Sequence, residues 1–94
     1  MTKIIAANWK QNGSLKLLIK LTRDIRTGIN RLKKRPKVIL FPPSLYLDSI
    51  SKEIKKNKAN NKNIQLGIQN ISPYNNGAYT GEVSIDMTND FDCS

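Results

Sequence analysis

Asn8 and Lys10 are the two side chains in this 94-residue sequence whose types and spacing suggest chemistry. They close the stretch Lys3-Ile4-Ile5-Ala6-Ala7-Asn8-Trp9-Lys10-Gln11-Asn12-Gly13, a short apolar run that ends in an amide, an indole, a cation and a turn. The run is too short for a helix and is bounded by Asn12-Gly13, so it reads as a buried strand. Side chains alternate on a strand, which places Ile4, Ala6, Asn8 and Lys10 on one face and Ile5, Ala7 and Trp9 on the other. The first face begins apolar and finishes with an amide and an ammonium about 6.6 Å apart, two strand residues from one another. What an ammonium can do there is electrostatic: it stabilises negative charge that is bound or that develops in a reaction. Parallel strands in barrels and open sheets present their sites at their carboxyl ends. Taken by itself, a lone lysine in that place is more often a solvated strand end.

The elements that would position these residues follow in order. Ser14 can cap a helix whose apolar residues Leu17, Leu18, Leu21, Ile25, Ile29 and Leu32 fall at spacings of three and four. That amphipathic helix of about five turns is expected to run to Arg35-Pro36, where proline disfavours helical geometry in the residue before it. Lys37-Val38-Ile39-Leu40-Phe41 has no polar alternation and reads as a second strand covered on both faces. Pro42-Pro43 stops it for want of backbone donors. Ser44 is expected to cap a shorter helix carrying Leu47, Ile50 and Ile54, with Tyr46 beside them. Residues 55–62 read as a polar exit loop and 63–70 as a third strand. A turn-rich loop spans 71–82, with Asn76-Gly77 as a bend in it and no hairpin, because no alternating strand follows. Ser84 opens a third helix through Asp90. Strands alternating with helices, with no strand pair close enough to form a hairpin, specify an α/β fold with parallel strands joined by crossovers.

Charge is unevenly placed. All sixteen Lys and Arg lie in residues 1–62 with only Asp24, Asp48 and Glu53, a formal +13, whereas residues 63–94 hold Glu82, Asp86, Asp90 and Asp92 and no base, a formal −4. The absence of histidine and the single cysteine, Cys93, argue against a zinc site and against an internal disulfide. The longest apolar runs fall far below the ~20 residues that span a bilayer, so no membrane partner and a cytoplasmic location are expected.

Four blocks, colinear over essentially the whole chain, resemble triosephosphate isomerase. They are Asn8-Trp9-Lys10-Gln11-Asn12-Gly13, Phe41-Pro42-Pro43, Gly67-Ile68-Gln69-Asn70-Ile71-Ser72 and the segment from Asn76 to Ser84, Asn76-Gly77-Ala78-Tyr79-Thr80-Gly81-Glu82-Val83-Ser84. The resemblance implies a parallel (β/α)8 TIM barrel of which this chain supplies the first three β/α units. It implies interconversion of dihydroxyacetone phosphate and D-glyceraldehyde 3-phosphate without metal or cofactor. Asn8 and Lys10 then contact the triose phosphate, and the charge of Lys10 stabilises the phosphate and the developing enediolate. The resemblance also implies a homodimer, with Gln11, Tyr79, Thr80 and Glu82 at the interface and the third loop inserted into the partner. Where the family often has methionine this chain has Gln11, which is expected to weaken that contact.

An eight-unit barrel needs about 250 residues. The histidine that polarises the carbonyl and the glutamate base come from later units of the family, so the 94-residue chain alone is expected to be an inactive fragment, with open strand edges prone to aggregation. The rival reading is a small basic nucleic-acid-binding module, which the sixteen bases would support. Against it, Trp9, Phe41, Tyr46, Tyr74, Tyr79 and Phe91 are scattered over different elements and line no single stacking face, so no nucleic-acid partner is expected.

Overall fold

The computed structural model describes residues 3–56, 63–91 and 93, so the exit loop expected at 55–62 lies mostly outside the described residues. Strand β1 covers Ile4–Asn8, helix α1 Leu15–Asn30, strand β2 Lys37–Phe41, helix α2 Leu47–Lys55, strand β3 Ile64–Leu66 and helix α3 Ile85–Thr88. The three strands form one parallel sheet in the order β1-β2-β3, with Ile5 opposite Val38 and Val38 opposite Ile64. Each strand therefore pairs with the next one in sequence, as the alternation of strands and helices requires. After α3 the chain returns to the sheet at Cys93, which bridges Leu66 in the parallel sense.

The caps and stops read from the sequence account for most of the boundaries. Ser14 Oγ accepts from the Leu17 N–H at 3.3 Å and Ser84 Oγ from the Met87 N–H at 3.4 Å, each closing an orphan donor of a first turn. Pro42-Pro43 ends β2, and the chain turns through a short 3-10 segment at Ser44–Tyr46 into α2. Ser44 does not act as the side-chain cap expected of it; it lies inside that tight turn, and no side chain caps either the turn or α2.

Helix α1 stops at Asn30, short of Arg35-Pro36. Its last turn tightens, with the Arg31 N–H bonding back to the carbonyls of Gly28 and Ile29. The Arg35 side chain then donates to the orphaned carbonyls of Asn30 at 3.1 Å and Leu32 at 3.4 Å. Leu32, expected on the apolar stripe, consequently lies beyond the helix and is exposed, as is Leu17.

The core is one-sided. Val38, Leu40, Ile64 and Leu66 pack beneath Leu18, Ile29, Leu47, Ile50 and Ile54, so the face of the sheet that carries Val38 and Leu40 meets both helices. The opposite row, Ala6, Ile39 and Gln65, is outside this cluster. Two expectations change accordingly. Strand β2 alternates between buried and half-buried positions and is not covered on both faces. Strand β1 is not buried: Ile4 and Ile5 are 64% and 51% exposed. β1 pairs only with β2 among the described residues, and Ile4 and Ile5 lie outside the cluster that the two helices cover. An apolar run marks a strand built to be covered, but the cover must come from a neighbour.

Strand β3 is three residues long where eight were expected. The ladder continues for one more bond, Gly67 N–H to Leu40 carbonyl at 2.9 Å, and then the Phe41 ring occupies the space beside Gly67. A Cβ on Gly67 would clash with the carbons along one edge of that ring. Gly67→Ala is therefore expected to displace Phe41 and to cost about 1–3 kcal/mol, measured by urea denaturation; an unchanged midpoint would show that the ring moves aside freely.

Candidate active site

Residues 9–13 form the turn that leaves β1. The Trp9 N–H still reaches the Phe41 carbonyl at 3.2 Å, which carries the β1–β2 ladder to the last residue of β2. Extended geometry ends there. Lys10 has φ of 51°, so the strand alternation that placed it on the face of Asn8 does not extend to it. For a residue bearing a Cβ this left-handed conformation costs about 1–2 kcal/mol and persists only where its surroundings impose it.

Those surroundings are two side-chain amides. Asn8 Oδ1 accepts from the Lys10 N–H at 2.7 Å, and Gln69 Nε2 donates to the Lys10 carbonyl at 2.9 Å. The same Gln69 nitrogen donates to the Phe41 carbonyl at 2.8 Å. Asn12 Nδ2 holds the Trp9 carbonyl at 3.2 Å. Gly13 ends the turn at φ 104°, with Leu18 of α1 so close that an added Cβ would sit 2.7 Å from its methyl carbon. Asn8 and Lys10 thus come together at the carboxyl end of β1, through a hydrogen bond and not through a shared strand face.

The site sits where the carboxyl ends of all three strands meet. Residues 8–10 follow β1, Phe41 ends β2, and Gln69 lies three residues beyond β3. With its oxygen committed to Lys10, the Asn8 amide keeps its N–H donors for an external oxygen. Among the described residues no carboxylate pairs with Lys10. The chemistry available is that of a cation and an amide donor presented to an anionic ligand.

The remaining predicted residues are not part of that cluster. Gln11 is exposed in the turn, and Tyr79, Thr80 and Glu82 are exposed in the 71–82 loop. Among the described residues none of the four hydrogen-bonds to Asn8 or Lys10. The loop is nevertheless internally organised. Tyr74 and Tyr79 stack with ring centroids 4.8 Å apart and planes 12° from parallel. The Ser84 hydroxyl donates to Asn76 Oδ1, and the Ser72 N–H to the Val83 carbonyl at 2.8 Å, which closes the base of the loop. Asn76-Gly77 is a bend here and makes no hairpin. A depression lined by Ser44, Gln69, Asn70, Gly81, Glu82 and Val83 brings the loop base beside the site. In the sequence Gln69 falls inside the strand expected at 63–70, and only the early end of β3 at Leu66 puts it past a strand end.

A parallel sheet whose strands are joined by helical crossovers belongs to the α/β class, of which barrels and open doubly wound sheets are the common forms. Comparison narrows the class. The sequence profile of the family described as triosephosphate isomerase matches residues 3–94. Proteins named triosephosphate isomerase are similar over nearly the whole chain. The one from Shewanella sediminis is 39% identical over 92 residues, 96% of this chain and 35% of its own length. That from Marinobacter nauticus is 35% identical over 91 residues, 97% of this chain and 34% of its own. That from Francisella philomiragia is 37% identical over 94 residues, 100% of this chain and 34% of its own. The chain belongs to the triosephosphate isomerase family, and its sheet corresponds to the first three β/α units of that barrel. It spans about a third of the length of the curated relatives it matches. A basic nucleic-acid module, the rival reading, is not favoured by any of these matches.

Proposed function

We propose that these residues form the first third of an active site that interconverts dihydroxyacetone phosphate and D-glyceraldehyde 3-phosphate, with Asn8 donating to the substrate and Lys10 stabilising its phosphate and the enediolate. The observation that carries this reading is the Lys10 peptide, held at φ 51° by an amide at each end and unpaired with any carboxylate among the described residues. A strained backbone kept in place around a cation is what a preorganised electrostatic site requires. Isomerisation moves a proton between adjacent carbons and needs neither metal nor redox cofactor. The organised 71–82 loop, with Tyr79, Thr80 and Glu82 outward, suits insertion into a second subunit of a homodimer, with Gln11 near the contact. A cytoplasmic setting and service in glycolysis and gluconeogenesis go with this reading.

The 94 residues contain no histidine, so the imidazole that would polarise the carbonyl is not among them. A purified polypeptide of these residues is expected to give no triose-phosphate turnover above a buffer blank in a coupled assay. A chimera in which they replace the matching first third of the Shewanella sediminis relative is expected to turn over. Absence of activity in a folded, dimeric chimera would overturn the proposal.

A further inference from the structure

We infer that the basic strap between α1 and β2 docks on the anionic phosphates of a membrane surface, with Leu32 as its apolar anchor. Five of the seven residues from 31 to 37 are cationic: Arg31, Lys33, Lys34, Arg35 and Lys37. Lys3 lies beside them, because the Lys37 N–H donates to its carbonyl at 2.8 Å. All but the half-buried Lys37 are exposed. Among the described residues no carboxylate pairs with any of the six, since Asp24, Asp48 and Glu53 are engaged by other cations. The strap is held in shape. Arg35 donates to the carbonyls of Asn30 and Leu32, and Asn63 Nδ2, just before β3, donates to the Pro36 carbonyl at 3.3 Å. It is thus tied to the residues that precede all three strands, at the end of the sheet opposite Asn8 and Lys10. A site at the carboxyl ends gives no use to cations gathered there.

Leu32 selects the partner. It is 48% exposed, between Arg31 and Lys33. A nucleic-acid backbone is bound by charge, and residues 31–37 hold no aromatic side chain to stack on bases, so an apolar group has no part to play in such a contact. At a bilayer surface it does: the apolar side chain enters the boundary between headgroups and acyl chains while the flanking cations meet lipid phosphates. The short apolar runs of the sequence bear on spanning segments alone, and no helix among the described residues is long and apolar enough to cross a membrane. Contact at the surface needs none. With the amino ends of the strands toward the lipid, their carboxyl ends face solution and the site stays open. Docking of this kind is independent of what the site catalyses.

The test is flotation with lipid vesicles, which leaves aggregated protein at the bottom of the gradient. It is made on the purified 94-residue chain and on the chimera described above, and where the two differ the chimera decides. Both are expected to float with vesicles of phosphatidylcholine and phosphatidylserine in low salt, far less with phosphatidylcholine alone, and to be released by high salt. Lys33→Gln together with Lys34→Gln is expected to lower the partition coefficient about 30-fold, the effect of two lysines near an anionic surface. Leu32→Ser is expected to lower it about tenfold at unchanged charge. Lys16→Gln together with Lys20→Gln removes the same charge from the exposed face of α1 and is expected to lower it about threefold at most. No flotation with the mixed vesicles overturns the inference. An α1 pair that loses as much as the strap pair overturns it too, since net charge would then suffice. So does partition indifferent to Leu32→Ser when a duplex oligonucleotide is bound and is lost with the strap pair, the behaviour of a site for a nucleic-acid backbone.

Discussion

Glu53→Gln is expected to destabilise the fold by about 1.5–3 kcal/mol, the scale of charge-assisted hydrogen bonds lost from a buried carboxylate whose main partner, Arg23, is half exposed. Glu53 sits on α2 with its side chain 2% exposed. Arg23 Nε of α1 donates to Oε1 at 2.6 Å, Arg26 Nη2 approaches Oε1 at 3.4 Å, and Lys56 Nζ reaches Oε2 at 3.1 Å. Arg26 Nη1 also donates to the Glu53 backbone carbonyl at 2.7 Å. One carboxylate therefore fastens α1 to α2 beside the apolar packing of Leu18 and Ile29 with Leu47, Ile50 and Ile54. Its removal leaves three cations facing each other, Arg26 nearly buried. The surface pairs Lys20–Asp24 and Lys52–Asp48, each four residues apart and well exposed, contribute only about 0.3–0.5 kcal/mol apiece. Total stability for a domain is about 5–15 kcal/mol, so the loss at Glu53 dominates. A urea midpoint for Glu53→Gln matching that of the parent would refute the staple.

The pH dependence has a definite sign. The Arg23 hydrogen bond, aided by Lys56, holds the Glu53 carboxyl below its ordinary value of 4.5, against the opposing effect of burial. A carboxyl whose folded value is depressed contributes stability that is fully present above the unfolded value and lost as pH falls through the folded one. The parent is therefore expected to lose stability progressively below about pH 4.5, whereas Glu53→Gln should show a flatter profile in that window. Equal slopes in the two proteins would place the acid sensitivity elsewhere.

The second large effect concerns Lys10. In the chimera, Lys10→Ala is expected to reduce kcat/KM about 100- to 1000-fold, the range for removing one preorganised group that stabilises developing charge. Lys10→Arg is not expected to restore it. The guanidinium is a planar fork with its charge spread over three nitrogens, and the ammonium is a compact point charge. A loss under tenfold for Lys10→Ala would show that the cation is a solvated turn residue after all.

The features legible in the sequence were those set by neighbours close in the chain. Ser14 and Ser84 announce their helices because a cap bonds to the backbone three residues on, and Pro42-Pro43 stops β2 by missing donors. Asn8 and Lys10 were found as a pair for a sound reason, their proximity at a strand end, but the pairing is made by an Asn8 side chain bonding the Lys10 backbone. No periodicity encodes that bond. Glu53 was counted only as one of seven acids, because its partners Arg23 and Arg26 lie 30 and 27 residues away and only helix packing brings them together. The exposure of Ile4 and Ile5 was illegible for the converse reason: composition states what a strand needs against it, and the cluster that the two helices cover leaves these two residues outside. Arg35, passed over as the end of a helix, turned out to serve carbonyls the helix had left behind.

The order β1-β2-β3 bears on how the molecule is made. Because each of these strands lies against the one synthesised just before it, Ile5 meeting Val38 and Leu40 meeting Leu66, neither of these two pairings has to wait for a later part of the polypeptide. The sheet can grow at one side in the order in which residues leave the ribosome, each newcomer finding its template already in place. The Glu53 staple then locks the first two helices together before the third strand has emerged.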